Sequence, residues 1–261
     1  MSPEILIVGQ GLAGTLLAFE LERAGVSFAI ADAGHEGAAS SVAAGVINPI
    51  TGRRLVKSAG VDTLLPVARQ AYRELEALLG VGLWRDMRVR RIFADERERR
   101  VFAEKQASGE LAPFVGASDE TGFWIEGAAQ VDLGTLLAAA REHWRRQGRL
   151  RAERVKPAVE ADRHPLVVDC SGVTLARGGA FDFVPWKFSK GELLEISVAG
   201  LAADTVLNCG HWVLPIGGDA AWVGATHEPG VLDGEPTAAG RAVLEAGARR
   251  LLDRPFRVMA H

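Results

Sequence analysis

A glycine-rich turn between two β-like runs constrains this chain more than any other feature. Residues 5–32 read ILIVGQGLAGTLLAFELERAGVSFAIAD. The apolar run Ile5, Leu6, Ile7, Val8 ends at Gly9, and Gly9, Gly11 and Gly14 make G-x-G-x-x-G ahead of a helix-like stretch. A second β-like run then ends at Asp32, an acidic residue about 20 positions on, where a dinucleotide-binding βαβ unit needs one. Gly9 permits a tight turn out of the strand. Gly11 lets a diphosphate approach the backbone, and Gly14 lets the helix pack close to the sheet. The helix start offers unpaired N–H groups and a positive dipole end to phosphate, and Asp32 is placed to accept from a ribose hydroxyl. The same glycines also suit a βαβ packing unit that binds nothing, and that alternative stands beside the first.

Composition narrows the class. The chain has 261 residues, 48% of them hydrophobic and 24% charged, with a net charge of −3. That length suits one large domain or two modest ones, each able to bury a core. The charge balance gives no reason to expect nucleic acid as a partner. Cys170 and Cys209 share no motif, so neither a disulfide framework nor a metal site is expected, and a reducing cytoplasm fits them. Residues 5–19 lack the basic flank of a secretory signal, since Glu4 precedes them. No run reaches the roughly 18 apolar residues of a membrane span. A soluble cytoplasmic protein is expected.

Periodicity organises the rest. Residues 33–54 are rich in small residues and show little helix or strand pattern. Leu64, Leu65, Ala68, Ala71, Tyr72, Leu75, Leu78 and Leu79 predict one apolar face of a helix over 62–79, with Asp62 as N-cap and Gly80 past its end. Residues 84–94 mix Arg with Val, Ile and Phe like a half-exposed strand. A polar helix over 95–108 and a strand over 122–126 follow. Asp132 opens another amphipathic helix with Leu133, Leu136, Leu137, Ala140 and Trp144 on one face. A short strand near Val155 and a strand over 166–169 come next. Residues 191–198, 205–209, 211–216 and 220–226 read as consecutive strands, and 235–252 as a helix ended by Pro255. The βαβ pattern is thus interrupted by strand-rich segments and resumes, which predicts two discontinuous domains.

Four features in order resemble the D-amino-acid oxidase and glycine oxidase family of FAD-dependent oxidoreductases. The fingerprint is extended by Ala18, Leu21 and Gly25. The loop AASSVAAGVINPITGRR (38–54) is similar to the one that passes under the flavin. Gln130-Val131-Asp132 precedes a helix, and Val155 and LVVDCSG (166–172) resemble the strand and turn closing the adenine side. KGELLEI (190–196) with LPIGGDAAWVGATHE (214–228) looks like the substrate-domain sheet.

The resemblance implies an α/β fold, α+β overall: a Rossmann-like FAD-binding domain (1–83 and 127–180) interleaved with an antiparallel-sheet substrate domain (84–126 and 181–261). It implies FAD as cofactor, a small-molecule amine or amino acid as substrate, and hydride transfer from the carbon beside nitrogen to flavin N5. No metal is expected, and no catalytic side chain is assigned. It places Gly9, Gly11, Leu12, Ala13 and Gly14 at the diphosphate and Asp32 with Ala33 at the adenosine. Ser40 and Ser41 come to the diphosphate or flavin edge, and Gly45 and Asn48 beside the isoalloxazine. Val155, Ser171 and Gly172 line the adenine and phosphate side. Family members continue beyond the equivalent of His261 with a segment that approaches flavin and substrate, so a C-terminally shortened chain is expected.

Other readings stay open. An NAD-linked enzyme, a non-catalytic binding protein that keeps the fold, and an oxidase component of tRNA wobble-uridine modification are the alternatives. Ser40 and Ser41 also suit an ordinary turn, and Ser171 with Gly172 a plain strand-ending turn. Arg53 and Arg54 could meet an anion or only solvent. His211 and Trp212 are expected as a surface His and a core Trp, and Lys190 as a structural residue. The basic run 141–156 reads as a solvated helix face and its exit loop.

Overall fold

The structure is a computed structural model and describes residues 4–34, 37–176 and 181–261. The chain forms two compact units, one from residues 1–43, 70–83 and 132–187, the other from 44–69, 84–131 and 188–261. Residues 35–36 of the expected loop and 177–180 of the expected first domain lie outside the described residues.

In the first unit four parallel strands stand in the order Leu166–Asp169, Ile5–Val8, Phe28–Ala31, Leu150–Arg151. Leu6, Ile7 and Ile30 are fully buried, as the continuous apolar runs of a parallel sheet demand. The helix Leu12–Arg23 buries Gly14, Thr15, Ala18 and Phe19. A second helix, Leu133–Arg146, starts at Asp132, whose side chain accepts from the Thr135 N–H, as a good N-cap does. Its buried face is Leu133, Leu136, Ala140 and Trp144. Trp144 meets Phe28 edge-on, 6.2 Å between centroids, and gives its indole N–H to Glu22 at 2.7 Å.

Register decides where a ligand can sit. Val8 pairs with Asp169 on one side and Ala31 on the other, so three strands end level. Gly9, Asp32 and Cys170 therefore emerge together at the carboxyl edge, where open α/β sheets bind ligands.

The second unit holds a large mixed sheet ordered Arg257–Ala260, Leu193–Ser197, Ala220–Gly224, His211–Gly217, Thr205–Cys209, Trp84–Ile92, Gly122–Val131, Val46–Ile47, with Val115–Ser118 also paired to Gly122–Val131. Its strands are antiparallel except where Thr205–Cys209 runs parallel to Trp84–Ile92. Leu244, Ala248 and Leu251 of the helix Ala238–Leu251 pack with Leu194, Ile196, Val213 and Val223. A separate core gathers Val89, Phe102, Phe123, Ile125 and Val206, with Phe102 stacked on Phe123 at 4.1 Å. Asp95 caps the helix Glu96–Ala107 by accepting from Glu98 N–H.

Several sequence expectations shift. Residues 44–69 and 127–131 pack with the second unit, not the first. The cause is backbone pairing: Val46 and Ile47 join Gln130 and Ala129 in the large sheet, and Ala44, Ile50 and Leu55 enter its core. The expected strand at Val155 is displaced to Leu150–Arg151. Val155 is instead irregular and packs against Leu6, Val8 and Ala31, just before the helix that Pro157 begins. The helix expected from Asp62 starts at Val61; Asp62 sits in its first turn and pairs with Lys57 at 2.7 Å. Leu64 of the expected apolar face is 61% exposed. The buried positions are Val61, Tyr72 and Leu75; helical spacing puts Leu64 only about 20° from Leu75, so what packs on the helix, not its phase, decides which of them is buried.

Candidate functional site

The glycine turn is held by close approaches that exclude other residues. Gly9 has φ +97°, and a Cβ there would lie 2.6 Å from the Cys170 carbonyl oxygen and 3.0 Å from Ser171 Cα. A Cβ on Gly14 would sit 2.0 Å from the Gly9 carbonyl oxygen. The helix thus rests against the end of its own strand. Gly11 differs: its Cβ would meet only Ser40, 3.2 Å from Oγ and 3.8 Å from Cβ, so a side chain there would press on the one group that accepts from the helix start.

That helix start leaves backbone donors unpaired. Gly11 provides no side-chain cap. The Leu12 N–H donates to Ser40 Oγ at 3.0 Å. Among the described residues the Gly11 and Ala13 N–H groups have no acceptor. Unpaired N–H groups and the helix dipole favour a diphosphate there.

Asp32 is held from several sides at this edge. Its Oδ2 accepts from Gln10 N–H at 2.8 Å and its Oδ1 from Gly34 N–H at 2.7 Å. Arg141 Nη1 reaches the same Oδ1 at 2.7 Å, and Nη2 donates to the Asp32 carbonyl at 2.9 Å. Arg141 also donates to Gln10 Oε1 at 3.0 Å, and Gln10 Nε2 to the Leu137 carbonyl at 3.1 Å. Burial pushes Asp32 upward, but Gln10 N–H, Arg141 and Gly34 N–H together hold it below the usual carboxylate range. It therefore stands ready as an ionised acceptor.

The remaining expected residues fall into two groups. Ser171 N–H donates to Asp169 Oδ1 at 3.0 Å, turning the chain beside Gly9, and Gly172 follows with φ +64°. The Cys170 thiol in that turn is pushed up by burial and by the Asp169 carboxylate. Ala33 is exposed after Asp32, and Ser41 Oγ donates to the Ala38 carbonyl at 2.7 Å. Gly45 and Asn48 belong to the second unit. There the Gly45 carbonyl accepts from Val131 N–H, and Asn48 Oδ1 accepts from Ile50 N–H at 3.1 Å.

Sequence reading missed Gln10 and Arg141. Gln10 carries a weak signal, a polar residue inside the turn that is nonetheless buried. Arg141 carries none, because its partner lies 109 residues away. Other arginines of the basic run meet acidic or aromatic groups: Arg145 pairs with Glu142, Arg151 with Glu160, and Arg149 lies over Phe28. His211 is half-buried, packed against Gly247 of the helix Ala238–Leu251, and Trp212, expected in the core, is partly buried too. Lys190 is buried and bound to Asp233 at 2.7 Å.

Comparison with known proteins defines the class. The profile of the family described as DAO, FAD dependent oxidoreductase, matches residues 4–260. The chain belongs to that family: it is an FAD-dependent oxidoreductase. Among solved structures it is similar to glycine oxidase from Geobacillus kaustophilus, with TM-score 0.75 and 20% identity over 99% of this chain and 83% of that one. Iminodiacetate oxidase from Chelativorans sp. BNC1 gives 0.71 and 21%, over 97% and 82% of the two chains. L-proline dehydrogenase from P. horikoshii gives 0.70 and 12%, over 99% and 79%. At these identities the structures establish the shared fold. Among the described residues no helix is long and apolar enough to cross a membrane.

Proposed function

We propose that this chain oxidises a small amine or amino acid, with the first unit as the FAD-binding domain and the second as the substrate domain. The observation that carries the reading is the open helix start at Gly11, level with Asp32 at the carboxyl edge of the parallel sheet. The fit is local and specific: a Cβ on Gly11 would occupy the space beside Ser40 that a diphosphate needs. The Gly11 and Ala13 N–H groups hold the diphosphate, with Leu12 exchanging its Ser40 acceptor for it. Asp32 accepts from a ribose hydroxyl, and Arg141 fixes the carboxylate that does so. Ser171 and Gly172 close the phosphate side, Ala33 and Val155 the adenine side. Ser40 and Ser41 bound the diphosphate, and Gly45 and Asn48 serve the isoalloxazine.

When bound, FAD supplies at N5 an acceptor for a hydride from the carbon beside the substrate nitrogen. The substrate class is supported by the neighbours named glycine oxidase, iminodiacetate oxidase and L-proline dehydrogenase. A soluble cytoplasmic setting belongs to the same proposal, since Cys170 and Cys209 are both free.

Anaerobic mixing of the FAD-loaded protein with a panel of small amino acids and secondary amines tests this. At least one is expected to bleach the oxidised flavin band. A protein that binds FAD but is reduced by no amine contradicts the substrate assignment.

A further inference from the structure

Arg53 and Arg54, which follow the Thr51-Gly52 turn, lie in a basic cleft built wholly from the second unit. One cavity of about 250 Å³ is lined by Arg53, Arg91, Ala94, Asp95, Gly210 and Arg250. An adjoining one of about 300 Å³ shares Arg53 and Asp95 and adds Arg54, Arg97 and Glu98 among its walls. Together the walls carry five guanidinium groups against two carboxylates.

Both carboxylates are already engaged. Asp95 accepts from Glu98 N–H at 2.9 Å and from Arg53 Nη2 at 3.0 Å. Glu98 accepts from Ala94 N–H at 2.7 Å and from the Arg91 guanidinium. The donors are not matched in turn. Arg250 Nη2 donates to a backbone carbonyl, Ala94 O, at 2.9 Å. Among the described residues Arg54 and Arg97 have no carboxylate partner. Arg91 lines the first cavity with its side chain only 8% exposed, and its Nε is buried without an acceptor. The cleft therefore presents a surplus of positive charge over carboxylate, with one buried, held guanidinium (Arg91) whose Nε lacks an acceptor and exposed arginines around it.

We propose that this cleft binds a small oxyanion of the phosphate class. Guanidinium forks match phosphate oxygens in pairs, which ammonium groups do not. The volumes lie at or below the roughly 300–1,000 Å³ typical of sites for drug-sized ligands, which suits inorganic phosphate or a terminal diphosphate better than a bulky organic anion. None of its lining residues is among those proposed to hold FAD.

Calorimetric titration of the FAD-saturated protein with phosphate and pyrophosphate, at constant ionic strength, tests the proposal. Saturating FAD keeps the anions out of the nucleotide site, and constant ionic strength removes general screening. Saturable binding is expected, weakened at least tenfold in Arg250→Gln and in the Arg54→Gln/Arg97→Gln double variant, and unchanged in Arg145→Gln of the other unit. Melting curves establish that each variant is folded; the double variant changes only exposed side chains and keeps the test valid if Arg250→Gln unfolds. A short single-stranded oligonucleotide separates a free anion from a polymer phosphate. Absence of saturable binding, equal binding by the cleft variants, or binding of the oligonucleotide without pyrophosphate would overturn the proposal.

Discussion

Arg141 Nη1 stands 2.7 Å from Asp32 Oδ1 across 109 residues of sequence, tying the helix Leu133–Arg146 to the end of the second strand of the parallel sheet. The guanidinium also holds the Asp32 carbonyl and Gln10 Oε1, so three groups at the nucleotide edge are set by one side chain. Arg141→Gln removes the charge and at least one of these bonds. A charged hydrogen bond is worth about 1.5–3 kcal/mol, so FAD affinity is expected to fall about tenfold or more. Flavin fluorescence titration reads this directly; unchanged affinity would show that Asp32 needs no such support.

The same pair has a pH signature. Asp32 binds its proton more weakly in the folded chain than at its ordinary value of 3.8. Its stabilising contribution is therefore complete above that value and is lost as pH falls through the lower folded one. Urea midpoints of the wild type and Arg141→Gln are expected to differ most near about pH 6 and to converge as pH drops below 3.8. A gap that stays constant down to acid pH would remove Asp32 as its source.

Gly14 separates folding from binding. Its Cβ would lie 2.0 Å from a backbone oxygen, which cannot yield as a flexible side chain can. Gly14→Ala is expected to destabilise by about 1–3 kcal/mol, the usual range for overpacking, with or without FAD. Denaturant unfolding checks this, and a variant as stable as wild type would mean that the helix can lift off its strand.

Ser40 serves as a cap supplied from outside the helix, accepting from Leu12 N–H at 3.0 Å. Ser40→Ala is expected to lower the stability of the FAD-free protein by about 1 kcal/mol, as loss of an N-cap does. With saturating FAD the loss shrinks, because the diphosphate takes over the freed donor. Paired melting curves measure the difference; an equal loss in both states would separate Ser40 from the cofactor.

A buried ion pair holds the second unit. Arg91 and Glu98 are in contact with side chains 8% and 4% exposed, and Asn208 accepts from the same guanidinium. Glu98→Ala leaves a buried cation unpaired, which costs about 3–5 kcal/mol. Urea unfolding should show a loss of that size, and a loss under about 1 kcal/mol would mean that water reaches the pair.

Local chemistry made much of this molecule legible before its structure. Gly9, Gly11, Gly14 and Asp32 mark the carboxyl edge of the parallel sheet because each meets a steric or electrostatic demand within one βαβ unit. Asp132 marks a helix start because a cap acts over three residues. What stayed hidden depends on distant partners. Val46 and Ile47 are a two-residue strand, too short for any period, and only pairing with Ala129 and Gln130 makes them part of the sheet. Leu64 has both the chemistry and the helical phase of a buried residue, and only its surroundings leave it exposed. Arg141 looks like any other residue of a basic run until the fold brings Asp32 to it.

The central claim is that FAD lies on the open helix start at Gly11. Equilibrium titration of wild type and Gly11→Ala with FAD tests it most directly. Gly11 Cβ would press only on Ser40, 3.2 Å from its hydroxyl, so the variant should lose no more than about 1 kcal/mol, the worth of that cap, yet bind FAD at least tenfold more weakly. Equal FAD affinity in the two proteins would contradict the account.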